Sequence, residues 1–172
     1  LNEVLRCPLP SSRGDARGDI LEAFAEDLGG MKVHFAHATP GVEHFGNAIL
    51  VDRSLEVLGS KSAQLDGGSI VYTKDGREKQ IVRGLLAVHL RVASAARELA
   101  VMTTHWDHIS SGERQRQASS MCELQEDLSA GLPHILCGDL NALKRSDYSE
   151  EEWQTLVKSN AEKGWGEPED CG

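Results

Sequence analysis

Between residues 31 and 105 the chain passes through six short, mostly apolar segments with little room between them: "MKVHFAHAT", "FGNAILVD", "SLEVLGSKSAQ", "GSIVYTK", "GLLAVHLRV" and "ELAVMTTH". Several alternate apolar and polar residues with a period of two, the pattern of a strand with one buried face. The intervening "DGG" and "KDG" supply residues suited to tight turns. Strands that follow one another so closely pair antiparallel, because a parallel return needs a crossover of a dozen residues or more. The expectation is therefore a largely antiparallel sheet system, with helices before and after it.

Three helices are predicted around this block. The first follows the loop "CPLPSSRGDARG" and starts at an Asp19 cap with Glu22 in the capping-box position; Ile20, Leu21, Phe24 and Leu28 form its apolar stripe, and Gly29 ends it. The second is "SGERQRQASSMCELQEDLSAG", capped by Ser110 with Glu113 completing the box, and Ala118, Met121, Cys122, Leu124 and Leu128 on or near one face. The run "LPHILCGD" then returns as a strand. The third helix begins at "SEEEWQTLV", with Ser149 as cap, Glu152 in the box and Trp153, Leu156 and Val157 spaced for a buried stripe. From about residue 160 onward the chain has no apolar period and reads as loop or tail. The opening "LNEVL" looks like the end of a strand whose beginning is missing, and with Leu1 in place of methionine it reads as a processed chain or a fragment.

A chain of 172 residues with an apolar fraction of 40% suffices for one domain with a real core. No apolar stretch approaches membrane-spanning length and no targeting segment is visible. The net charge of −9 opposes non-specific binding to nucleic acid or anionic lipid, so a phosphate substrate would need a cation or a local basic group. Four scattered cysteines without a C-x-x-C pair point to reduced thiols and an intracellular setting.

Polar residues collect at the ends of these apolar strands. Glu3 follows Leu1, Asn47 sits in "FGNAIL", His105 and Asp107 close "AVMTTHWD", and Asp139 and Asn141 close "HILCGDLN". Each alone reads as a turn former or helix cap. Together, strands ending at one rim would gather two or three carboxylates, an amide and an imidazole. Asp139 and Asn141, two residues apart, would leave the same face of an extended chain. Hard oxygen ligands of this kind suit Mg²⁺ or Mn²⁺ with positions left for phosphate oxygens.

The motifs "LNEV", "GNAIL", "TTHWDH" and "CGDLNAL", in this order, resemble the central motifs of the endonuclease/exonuclease/phosphatase superfamily. The resemblance runs from Glu3 to about Tyr148. It implies an α/β (α+β) DNase I-like four-layer sandwich: two mainly antiparallel sheets flanked by helices, here incomplete at both ends as a partial domain over residues 1–172. It implies a Mg²⁺-dependent phosphoesterase whose substrate is a phosphate ester: nucleic acid, phosphorylated small molecule or lipid headgroup. Residue by residue, Glu3 would be the metal ligand, Asn47 would lie near the substrate phosphate, and His105 would hydrogen-bond it. Asp139 would orient or deprotonate the attacking water, and Asn141 would donate to the phosphate in the transition state. Asp107 and Trp106, beside His105, are read with Asn47 as substrate-binding residues. Arg116 and Gln117 fall where the family often has an arginine and a glutamine, and are read as structural.

The resemblance has a gap. Family members carry a further Ser-Asp-His motif downstream of "GDLN", and the last of the seven histidines here is His134. Three readings follow: a phosphoesterase seen as part of a longer chain; an inactive relative serving as a structural or binding subunit with protein partners; and a zinc hydrolase, from "HWDH" as part of an H-x-H-x-D-H run whose first histidines are absent. Clustered carboxylates that repel one another without a cation favour the first.

Overall fold

The structure, a computed structural model, describes residues 1, 4–5, 20–38, 45–73 and 75–171. Glu3, Cys7 and the Asp19 cap lie outside them. Among the described residues nine strands and three α-helices follow one another as β1 (Val4–Leu5), α1 (Ile20–Asp27), β2 (Lys32–His37), β3 (Phe45–Val51), β4 (Glu56–Leu65), β5 (Ile70–Tyr72), β6 (Glu78–Gln80), β7 (Arg83–Val92), β8 (Arg97–His105), α2 (Ser111–Ser129), β9 (His134–Asp139) and α3 (Glu150–Glu162).

The strands form a three-stranded sheet in the order β1-β3-β2, a four-stranded sheet β4-β7-β8-β9, and a small β5-β6 hairpin. All pairings are antiparallel except β8 with β9, which run parallel because α2 carries the chain back between them. The two larger sheets pack face to face. Ile49 and Val51 of β3 interlock with Leu86, Val88 and Leu90 of β7, whose run of apolar residues is buried on both faces. On the far side of the four-stranded sheet, Leu65, Leu85, Ala87 and Met102 pack under Leu128 of α2, while α1 lies against the three-stranded sheet. Helix, sheet, sheet and helix make the four layers of a DNase I-like sandwich, as the motifs imply. Among the described residues no helix is long and apolar enough to cross a membrane, and Cys122, Cys137 and Cys171 carry free thiols.

Local details depart from the sequence reading for identifiable reasons. In α1 the covered residues are Leu21 and Ala25, while Ile20, Phe24 and Leu28 are exposed; the helix presents a narrower stripe than its apolar content suggests. Strand β6, "EKQ", is exposed at all three positions and so has no apolar signal to read. In α2, Ser110 accepts from the Glu113 N–H as expected, but the Glu113 carboxylate turns away from the box to accept from the Gly68 N–H at 2.7 Å. In α3 the full capping box forms between Ser149 and Glu152. Trp153, Leu156 and Val157 are only half-buried, Trp153 being flanked by Tyr148 and the Arg145 guanidinium. Beyond α3 the chain is loop, pinned back by the Cys171 N–H donating to the Leu143 carbonyl at 2.7 Å. Ser149→Ala removes one acceptor from the first turn of α3 and is expected to lower stability by about 1 kcal/mol, read as a shifted denaturant midpoint at unchanged slope.

Candidate functional site

The ends of β8 and β9 meet in register, His105 opposite Asp139. The His105 side chain is 8% exposed and the Asp139 carboxylate 58%, with Nε2 and Oδ2 4.0 Å apart. A covered imidazole thus stands beside an open carboxylate. The ladder continues one step past the strands, where the Trp106 N–H donates to the Asp139 carbonyl at 2.9 Å.

Asp139 and Asn141 come together, but not along one extended face. The strand stops at Asp139, and Asn141 adopts a left-handed backbone with φ of 49°, a conformation that asparagine tolerates. The chain folds back so that the Asn141 N–H donates to Asp139 Oδ1 at 2.8 Å. The Asn141 side-chain amide donates to the Trp106 carbonyl at 2.9 Å. The local preference of Asp and Asn for backbone hydrogen bonds sets this geometry, not strand alternation. Asn47 is buried in β3 and donates through Nδ2 to the Gly84 carbonyl at 3.1 Å. That same carbonyl accepts from the Thr104 hydroxyl at 3.0 Å, which links Asn47 to the strand that ends in His105.

Asp107 holds the turn together and does not face outward. It is 0% exposed. Oδ2 accepts from the Ser69 N–H at 2.8 Å, and Oδ1 accepts from the Ser69 hydroxyl at 2.9 Å, the Ile109 N–H at 2.8 Å and the Ser110 N–H at 2.9 Å. Burial pushes its pKa up, but the backbone donors of Ser69, Ser110 and Ile109 and the Ser69 hydroxyl outweigh burial and hold the carboxyl below the ordinary carboxylate value. Its own peptide is gripped by α2: the N–H donates to Gln117 Oε1 at 2.7 Å and the carbonyl accepts from Arg114 Nη1 at 3.2 Å. This makes Asp107 a strut under His105, in place of the substrate contact expected from the sequence. Trp106 packs with Met121, Leu124 and Leu136 against the core under α2, so its peptide group, more than its ring, belongs to the rim.

Gln117 is structural, as read. Its expected companion is different: Arg116 is exposed and pairs with Glu113 at 3.1 Å, whereas the buried arginine of α2 is Arg114. One further residue, Arg83, escapes the sequence reading, and His108 enters it only as part of the "HWDH" run. Arg83, the first residue of β7 and only 3% exposed, places Nη1 3.3 Å from His105 Nδ1 and Nη2 3.0 Å from His108 Nδ1. His108 in turn meets Trp165 edge to face at 5.1 Å. A cleft of about 340 Å³ opens here, walled by His108, Ser110, Arg114, Asn141, Asn160 and Trp165 among others. Arg83 directly precedes the apolar run 84–88 of β7, which is the one signal that could have drawn attention to it.

Among the described residues no three His, Cys, Asp or Glu side chains gather as a metal-holding group. Asp139 offers a hard oxygen at the rim, and the expected ligand Glu3 lies outside the described residues. The described residues alone therefore do not complete a divalent-cation site. Their arrangement can hold a phosphate group beside neutral donors, with a buried guanidinium behind and a carboxylate able to orient water in front.

No protein-family model and no curated protein sequence matches the chain. Solved structures do. The catalytic domain of human Nocturnin with bound sulfate is similar at 20% identity and a TM-score of 0.54, over 81% of this chain and 52% of that one. An endonuclease/exonuclease/phosphatase family protein from Bacteroides thetaiotaomicron is similar at 22% identity and a TM-score of 0.54, over 71% and 44%. A mannosyl-6-phosphatase from Bacteroides thetaiotaomicron VPI-5482 is similar at 19% identity and a TM-score of 0.55, over 80% and 52%. The chain shares the DNase I-like fold of these proteins and spans about half of their length.

Proposed function

We propose that this chain carries part of the active site of a Mg²⁺-dependent phosphoesterase, hydrolysing a phosphomonoester or phosphodiester. The observation that carries the reading is the His105–Asp139 pair: a covered imidazole 4.0 Å from an exposed carboxylate, at the meeting of two parallel strand ends. Asp139 orients the attacking water. The amide of Asn141 and the imidazole of His105 bind the phosphate oxygens as charge builds on them. Asn47 supports the same rim through Gly84, and Arg83 supplies the local positive charge that a chain of net charge −9 needs to draw in an anion. When bound, a divalent cation would neutralise charge on the phosphate, and Asp139 with Glu3 would hold it. The shared fold with a sugar phosphatase supports phosphate esters as the substrate class.

The test is hydrolysis of bis(p-nitrophenyl) phosphate and p-nitrophenyl phosphate by the natural chain. Chelation is expected to stop the reaction and Mg²⁺ to restore it. Asp139→Asn, which preserves the oxygen accepting from the Asn141 N–H, is expected to lower the rate about a thousandfold with an unchanged melting temperature. A variant as active as the natural protein would overturn the assignment of Asp139, and a natural protein that hydrolyses neither ester would leave the reading of an inactive binding subunit.

A further inference from the structure

Arg83 touches two histidines at once, and the chemistry of its side chain determines the direction of both contacts. A guanidinium carries N–H groups on all three nitrogens, has no acceptor and stays protonated throughout the range in which proteins fold. The hydrogen bonds at 3.3 Å to His105 Nδ1 and 3.0 Å to His108 Nδ1 therefore both run from arginine to imidazole. Each Nδ1 presents a lone pair, and a neutral ring with its lone pair there bears its proton on Nε2. A protonated ring has two donors and would meet the arginine N–H with another N–H, so the bridge also requires both rings to be neutral.

We infer that Arg83 is a positioning residue, a buried clamp that holds His105 and His108 together as neutral Nε2–H tautomers. The ring of His105 is thereby turned with its Nε2 toward Asp139. The ring of His108 is fixed from one side by the clamp and from the other by Trp165, in the wall of the cleft that Asn141 also lines. Two rings of the same tautomer then stand in the site, His105 beside Asp139 at the rim and His108 in the wall of the cleft. The tautomers follow from the geometry alone; their use on a phosphate rests on the reading given above.

Nitrogen-15 spectra of the natural protein, recorded about two pH units above the ordinary histidine value of about 6.5, test the clamp directly. The expected result is an unprotonated Nδ1 in both rings, each with a scalar coupling across the hydrogen bond to a nitrogen of the Arg83 guanidinium. A proton on Nδ1 of either ring, or the lack of both couplings in folded protein, overturns the inference whatever the activity. Arg83→Lys keeps the charge but concentrates the donors on one nitrogen, which cannot span both rings. It is expected to retain at most one coupling and to lower kcat about tenfold or more, with little change in KM, the usual effect of losing a partner that orients a functional histidine. Both couplings present in a natural protein that hydrolyses neither nitrophenyl ester would refute the phosphoesterase reading and leave the clamp standing.

Discussion

Asp107→Ala is expected to cost about 3–5 kcal/mol of stability, because it leaves several donors unpaired at about 1–3 kcal/mol for each that is buried. Out of the about 5–15 kcal/mol that holds a domain together, such a loss leaves a substantial unfolded fraction. The reason lies in the four donors that converge on this carboxylate, from Ser69, Ile109 and Ser110. Alanine would leave all four without this acceptor, the two of Ser69 in buried positions, and unsatisfied buried donors cost more than the bonds contribute. Two segments distant in sequence, the 66–69 turn and the start of α2, would lose one of their ties as well and keep the bond from the Gly68 N–H to Glu113. Urea denaturation checks the expectation; a change below about 0.5 kcal/mol, the ordinary surface range, would show that the network is not formed. The same group gives a pH signature. Its carboxyl is held below the ordinary value in the folded protein, so the folded state binds fewer protons than the unfolded state. The stabilisation is fully present above the unfolded value of about 3.9 and is lost as pH falls through the folded value. The natural protein should lose stability below about pH 4, and Asp107→Ala should flatten that part of the curve.

Gly138→Ala is the second large effect. An added Cβ would stand 2.0 Å from the Thr104 carbonyl oxygen and 3.0 Å from its carbon, at a φ of 152° that side-chain-bearing residues rarely adopt. Backbone cannot swing aside as the tip of a side chain can, so β9 must separate from β8 at the rung next to His105 and Asp139. A cost of about 4 kcal/mol or more is expected, in the range reserved for a specific steric fault, together with loss of amide exchange protection along β9. Hydrolysis should fall with it, because the carboxylate and imidazole are carried by the two strands being separated. A variant with natural exchange protection would show that the strands do not approach so closely.

The strands of the two main sheets were legible because their apolar alternation is strong, and the caps at Ser110 and Ser149 because local hydrogen bonding decides them. What the sequence concealed is mostly polar burial. On α2 the apolar residues suggested one face, but the covered stripe begins with Arg114, Gln117 and Ser120, spaced as core residues are yet invisible to a hydrophobic pattern. Hence Arg116 was read as the structural arginine when its neighbour two positions earlier bonds the Asp107 carbonyl. The rim residues Asn47, His105, Asp139 and Asn141 could be named from their places at strand ends. The direction each side chain takes could not. Asp107 turns inward because Ser69, nearly forty residues away in sequence, offers it a backbone N–H and a hydroxyl, and the path of Asn141 depends on a left-handed turn and not on strand periodicity. Arg83 has a role only once β7 and β8 are aligned.

The Gly84 carbonyl has a mechanical meaning beyond its place in the site. The faces that join the two large sheets are mainly aliphatic, and aliphatic surfaces resist separation far better than they resist shear. Asn47 comes from one sheet and Gly84 from the other, and a buried, directional hydrogen bond between them acts as a dowel across that slippery boundary. The amide expected near a phosphate is thus also the part that fixes the lateral offset of the sheets, so that sliding one sheet over the other and misaligning the rim are the same motion.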